Sequence, residues 1–277
     1  MPSLALTYDK LDQPGLLRVL FHPRPDWTPP PPGAVDQNIP VAPGVEVTAR
    51  LFLGAPLDQP ALLFFHGNGE VVADYDEIGP AFNEVGLHFI VAEYRGYGKS
   101  GGTPTVTALV NDAHRVLAAV RERLKAAGHT GHLVVMGRSL GSVPALELAA
   151  SAEPAIDGLV IESGIGHTIP FLLGLGIEVA EYGIASEADG FKNVQKIALF
   201  RKPTYILHAQ HDEIIPLVSA ELLQVECGAH SKEFQMVPGA GHNNIIACVG
   251  KLYFQAIKQF TRKVGQTRRP RRPGVRS

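Results

Sequence analysis

A Gly-x-Ser-x-Gly pattern occurs twice in this sequence, at residues 137–141 and again at 98–102, so the pattern alone chooses neither serine. A serine held on a sharp turn between a strand and a helix can attack a carbonyl, and flanking glycines leave that turn room to close. Ser139 has this context: the apolar run 133–136 leads in, and Leu140, Val143, Leu146 and Leu148 open an apolar-rich helix. Ser100 is separated from its preceding apolar run by residues 94–99 and is followed by Gly101 and Gly102 before any helix can start. Ser139 is therefore the expected nucleophile.

A serine hydroxyl is a weak nucleophile at neutral pH, so it needs a base within reach and a third group to hold that base. Where the nucleophile sits on such a turn, the partners follow in the order acid, then histidine. Asp212 stands just past the apolar run 204–207, at the strand end where sites in open α/β sheets form. His242 follows a short strand at 233–237, in a loop carrying Gly239 and Gly241. The competing readings are a helix N-cap for Asp212, with Glu213 or Glu162 as the acid instead, and a plain surface histidine for His242. The oxyanion formed on attack needs preset N–H donors. Leu140, directly after the serine, is one candidate, and Asn68 in His66-Gly67-Asn68-Gly69 is the other; the alternative for the latter is a glycine turn that binds nothing.

Three other chemistries are not expected. His208 and His211 lie three apart without a third ligand, so no metal site is read there. Gly96, Gly98 and Gly101 spell a dinucleotide fingerprint, but Pro104 delays the helix and the acid at about the right distance, Glu122, falls inside it. Gly98-Lys99-Ser100 mimics the end of a phosphate loop, yet Glu93 stands where its first glycine belongs. No cofactor follows from these motifs.

The elements that must position these residues are legible as a pattern. Short, nearly continuous apolar runs at 61–65, 88–93, 133–136, 159–161 and 204–207 read as strands buried on both faces. Between them, Val106, Leu109, Val110, Ala113, Val116, Leu117, Val120 and Leu124 mark one face of a helix, with Thr103 as N-cap and Pro104 at its first position. Strands alternating with helices imply a mostly parallel sheet covered on both faces, an α/β fold. Residues 16–21 and 45–53 read as antiparallel edge strands, and the proline-rich stretch 23–43 as an extended connection between them. Residues 163–202 interrupt the alternation and carry Ile169, Phe171, Leu172, Leu173, Leu175 and Ile177; a lid over the site is expected, an ordinary crossover helix with a long loop being the alternative.

Composition sets the bounds. With 277 residues, 45% of them hydrophobic and 19% charged, the chain supports one folded domain, placed at 1–263, with 264–277 as a basic tail expected to be disordered. The formal charge of −2 gives no reason to expect nucleic acid, although five arginines crowd the last ten residues. Two cysteines, Cys227 and Cys248, suggest reduced thiols, and no signal peptide or run of about 20 apolar residues is present, so a cytoplasmic protein without a membrane span is expected.

With these residues in hand, the chain resembles the α/β-hydrolase superfamily from about residue 45 to 260. Residues 66–69, the stretch Tyr94-Arg95-Gly96-Tyr97-Gly98-Lys99-Ser100 and Gly137-Arg138-Ser139-Leu140-Gly141 look like its Bem46-like and ABHD13/ABHD17-like branch. The resemblance implies serine hydrolysis of carboxylic esters or thioesters with Ser139, Asp212 and His242 as the triad and Asn68 as second oxyanion donor. The lid side chains suggest a small-molecule substrate with an apolar acyl group. A serine aminopeptidase or amidase would use the same triad and require an acid for the free amine, for which Glu162 is the candidate; a catalytically silent binding module is the remaining alternative.

Overall fold

A computed structural model describes residues 7–152 and 155–267. Eight strands form one sheet: β1 (Ala34–Ala42), β2 (Val45–Phe52), β3 (Ala61–Phe65), β4 (His88–Ala92), β5 (Leu133–Arg138), β6 (Gly158–Glu162), β7 (Thr204–Ala209) and β8 (Lys232–Val237). Their order is β1-β2-β4-β3-β5-β6-β7-β8, with β1, β2 and β4 paired antiparallel and every pair from β4 to β8 parallel. The central strands β3, β4, β5 and β6 are buried along both faces apart from Arg138, which explains their unbroken apolar runs.

Helices cover both faces. On one lie α1 (Pro14–Leu20), α3 (Val106–Ala126), α4 (Ser142–Ser151), α5 (Thr168–Gly174), α6 (Asn193–Leu199) and α7 (Val218–Glu226), whose buried side chains share a core with Leu63, Val135 and Ile161. On the other lie α2 (Ile78–Glu84), α8 (Ile245–Val249) and α9 (Lys251–Thr267), packed on Phe64, Met136 and Val160. Helix α9 presents Tyr253, Phe254, Ile257, Phe260 and Val264 to this second core, the three-and-four spacing of a buried helical stripe.

Four local expectations change. Residues 16–21 do not form a strand: Pro14 starts a helix there, with Leu16 and Leu20 one turn apart on its buried face. The edge strand is β1, inside the proline-rich stretch, and it tolerates Pro40 because an edge strand can spare one ladder donor. The cap of α3 is Thr105, whose hydroxyl accepts the Ala108 N–H at 2.9 Å, while Asp12 takes the N–H groups of Val106 and Thr107. At the expected start of the tail, Val264 is buried and α9 continues to Thr267; residues 268–277, the rest of the expected tail, lie outside the described residues.

Segment 163–202 contains α5, two short 3₁₀ turns and α6. Leu172 and Ile177 are buried in the first core, and Ile169, Phe171 and Leu175 pack against it, leaving Leu173 the exposed one of the six. The segment also meets the N-terminal region: Lys10 pairs with Asp189 at 2.8 Å and Gln13 donates to the Tyr182 carbonyl at 2.9 Å. Its apolar side chains thus attach it to the domain.

The second serine motif has a structural role. Ser100 Oγ accepts the Thr48 N–H at 2.9 Å and lies 3.4 Å from Glu93 Oε2, while Glu93 Oε1 accepts the Val72 N–H at 2.9 Å. Burial raises the Glu93 carboxyl from an ordinary 4.5 to about 7. A carboxyl raised on folding stabilises the protein in its protonated form, and that contribution is lost as pH rises through about 7. The difference from 4.5 corresponds to about 3 kcal/mol. Thermal unfolding followed from pH 5.5 to 8.5 should therefore show Tm falling in the wild type and a flatter profile in Glu93→Gln, which keeps an acceptor for Val72. Equal slopes in the two proteins would remove Glu93 as the source.

Candidate active site

Ser139 follows the last residue of β5 and has φ of +52°, in the left-handed region that a non-glycine residue occupies at a cost of roughly 1–3 kcal/mol. The strain follows from close packing. A Cβ at Gly141 would run into the main-chain oxygens of Phe65 and His66, and one at Gly137 into the Gly141 carbonyl and Ala145. The turn is therefore pressed onto the end of β3, and it aims the Ser139 hydroxyl at the edge where the parallel strands end.

The three residues singled out as a triad meet there. Ser139 Oγ lies 3.0 Å from His242 Nε2, and His242 Nδ1 lies 2.8 Å from both oxygens of Asp212. All three are buried. Asp212 Oδ1 also accepts the N–H groups of Ile214 at 3.1 Å and Ile215 at 2.8 Å. Burial alone would raise the Asp212 carboxyl, but the bonds from His242 and Ile215 outweigh it and hold it below its ordinary value. The Ser163 hydroxyl sits beside this carboxylate, outside strict hydrogen-bond geometry.

The alternatives are placed elsewhere. Glu213 accepts the His242 main-chain N–H at 3.0 Å, so it caps the histidine loop and does not face the imidazole. Glu162 is buried with one oxygen 3.2 Å from Arg138 Nε and the other accepting from Tyr253 at 2.5 Å. Burial raises its carboxyl above the ordinary value, with Arg138 opposing. His211 and His230 are exposed, whereas His208 is buried, donates to the Ile215 carbonyl at 2.8 Å, and is held by burial below the ordinary imidazole range. Among the described residues no group of three His, Cys, Asp or Glu side chains is arranged to hold a metal. Cys227 is buried and Cys248 exposed, both as free thiols.

The loop after β3 approaches the same edge. The Asn68 amide is engaged: its Oδ1 accepts from the His22 N–H at 2.9 Å and the Tyr97 hydroxyl at 2.7 Å, and its Nδ2 lies 2.7 Å from His22 Nδ1. Leu140 lies in the first turn after Ser139, where N–H groups lack partners within the helix. A residue that sequence reasoning passed over, Arg138, occupies the variable position of the motif. It pairs with Glu70 and donates to the His242 carbonyl and to Asn243 Oδ1, each at 2.9 Å. The alternation of β5 did contain the signal: Val134, Met136 and Arg138 share a face, so Arg138 had to enter the side of the sheet bearing α2 and α9. On that side lies a cavity of about 270 Å³, lined by Phe64, Ile78, Phe82, Phe89, Ile246 and Tyr253 together with Glu70, Arg138, Glu162 and His242.

The comparisons with known proteins agree with this architecture. The family described as serine aminopeptidase, S33, matches residues 58–169. Protein bem46 of Schizosaccharomyces pombe is 30% identical over 213 residues, covering 74% of this chain and 68% of that protein. Human α/β-hydrolase domain-containing protein 17B is 30% identical over 203 residues, covering 72% of this chain and 65% of that protein. The chain thus spans about two thirds of these relatives. Among solved structures, the Pyrococcus furiosus esterase Pf2001 superposes with a TM-score of 0.68 at 13% identity, over 89% of this chain and 98% of that one. A soluble variant of the Saccharomyces cerevisiae monoglyceride lipase gives 0.65 at 17% identity, over 88% and 99%. The protein is an α/β-hydrolase. Within that superfamily it belongs to the branch that holds bem46 and the domain-containing 17 proteins.

If Ser100 is a structural bridge and Ser139 the reactive hydroxyl, the two alanine variants should separate. Ser139→Ala should abolish covalent labelling by a fluorophosphonate with little change in Tm. Ser100→Ala should keep the labelling and lose about 1–2 kcal/mol of stability, since the buried Thr48 N–H loses its acceptor. Labelling that survives in Ser139→Ala would move the nucleophile elsewhere.

Proposed function

We propose that this protein is a serine hydrolase that cleaves carboxylic esters or thioesters through an acyl-enzyme, with Ser139 as nucleophile, His242 as base and Asp212 as the acid that orients it. The observation that carries this reading is the unbroken chain from Ser139 Oγ through the imidazole to Asp212, at 3.0 and 2.8 Å. His242 Nε2 takes the hydroxyl proton as Oγ attacks the acyl carbon, and the N–H groups of Leu140 and Asn68 receive the oxyanion. The imidazolium then protonates the leaving alcohol or thiol as its bond to the acyl carbon breaks. Water, deprotonated by the same imidazole, attacks the acyl carbon of the acyl-enzyme, and as the bond to Oγ breaks the imidazolium returns the proton to Ser139, releasing the acid. Asp212 keeps its charge throughout and holds the imidazole with Nε2 facing Ser139.

The substrate reading is a small molecule with an apolar acyl group. Its support is the aromatic and aliphatic part of the cavity, Phe64, Ile78, Phe82, Phe89 and Ile246, beside the charged Glu70, Arg138 and Glu162 in a cavity that shares His242 with the proposed triad; the apolar side chains of segment 163–202 pack onto the core. An aminopeptidase is the less favoured reading, because Glu162 is buried and each of its oxygens already meets a partner, Arg138 or Tyr253, before any substrate amine.

A panel of p-nitrophenyl esters from acetyl upward, beside aminoacyl anilides, tests both. Each methylene that enters the cavity should raise kcat/KM by nearly fourfold, about 0.8 kcal/mol, until the cavity is full. Ile78→Trp, which narrows the cavity, should cut the longer esters at least tenfold and acetyl esters by less than twofold. Constants that are flat or fall beyond acetyl would sink the apolar reading, and anilides hydrolysed faster than esters would favour the peptidase.

A further inference from the structure

The proposed mechanism leaves the largely buried charge cluster nearest the site without a task. Glu70, Arg138 and Glu162 meet beneath the site, with Tyr75 and Tyr253 on their outer oxygens, and Arg138 is only 12% exposed. Its guanidinium reaches four acceptors on three segments. Nη1 pairs with Glu70 of the loop after β3, and Nε faces Glu162 at the end of β6 at 3.2 Å. Nη2 donates to the carbonyl of His242 itself and to Asn243 Oδ1. Glu70 in turn accepts the Gly67 N–H at 2.6 Å, one residue before Asn68. Every carboxylate oxygen in the cluster has a partner, so the cluster offers nothing unsatisfied to a ligand.

The geometry points to Arg138 as a positioning residue, a planar clamp that fixes the loop of the base and the loop of the second oxyanion donor relative to the serine that follows it in sequence. Three loops ending at one sheet edge have no covalent reason to share a geometry. A guanidinium rooted at the residue before Ser139 supplies one, because its fork sets direction as well as charge. Lysine at the same place would retain the charge and lose the fork. Misplacement of reacting groups by about 1 Å can cost on the order of a hundredfold in rate without weakening substrate binding.

The inference rests on the proposed triad, and rates of Ser139 labelling by a fluorophosphonate separate the two. In Arg138→Lys the labelling rate and kcat should fall about tenfold, and in Arg138→Gln about a hundredfold, with KM within about twofold of wild type. The triple variant Glu70→Gln, Arg138→Met, Glu162→Gln removes all three charges together, so no carboxylate is left buried and unpaired; it should remain as slow as Arg138→Gln. Folded Arg138→Lys that labels at the wild-type rate, with only Tm reduced, would make Arg138 a structural residue and overturn the inference. So would recovery of the wild-type rate in the triple variant, which would mean that Arg138 merely neutralises its neighbours. A wild-type protein that does not label at Ser139 overturns the triad and this inference with it.

Discussion

The site depends on how closely the end of β5 is pressed against the end of β3. There is no space for a side chain between Gly141 and the carbonyls of Phe65 and His66, so the chain must reverse within the serine itself. The result is a left-handed Ser139 at φ +52°. Such a conformation persists only when its surroundings over-determine it. Here the constraint comes from both sides: five register pairs lock β5 to β3, and the buried face of α4 fixes the direction in which the chain must leave. The packing that strains the serine also brings the loops after β3 and β5 to one edge, which is what an oxyanion site assembled from two N–H groups requires.

Buried charge is the second organising element, and it is handled differently in two places. Glu147 is hydrogen-bonded by His114 and paired with Lys196, which together outweigh the effect of burial and hold its carboxyl down at about 2, and Lys196 also reaches the Tyr8 hydroxyl at 3.0 Å. That cluster ties the N-terminal region to the core. The Glu70–Arg138–Glu162 cluster has two carboxylates for one cation, so burial leaves Glu162 raised while Arg138 and the Tyr75 hydroxyl keep Glu70 low. An apolar packing of the same volume would often be at least as stable. Directional hydrogen bonding to loop backbone is what such a cluster provides and an apolar one does not.

Sequence made the central sheet legible because strands buried on both faces must be continuously apolar: 61–65 coincides with β3, and 133–136, 159–161 and 204–207 each lie inside a strand. The edges were not legible, for physical reasons. Residues 14–20 are too few for a helical period to stand out, so Leu16, Leu17, Val19 and Leu20 read equally well as a strand. Strand β1 alternates little and contains Pro40, and its identity comes from pairing with β2, which no local pattern records. The apolar side chains of 163–202 announced burial but not its direction; a lid and a packed crossover bury the same residues, and here those residues pack on the core beneath α5. Arg138 was hidden in a position that the serine motif leaves free.

Asp212 illustrates why two readings of one residue need not compete. Its Oδ1 closes the turn that follows β7 by accepting from Ile214 and Ile215, which is the capping role a local reading suggests, and the same carboxylate faces His242 Nδ1 with both oxygens. The first set of bonds is the reason the second can be directional. A carboxylate free to rotate would present its oxygens to the imidazole in many ways, whereas one held by two main-chain N–H groups presents them in one. The bonds from His242 and Ile215 also hold this carboxyl below its ordinary value, in a buried place where desolvation alone would raise it. The turn after β7 therefore orients the carboxylate that faces the imidazole, and a local motif becomes the support of the long-range one.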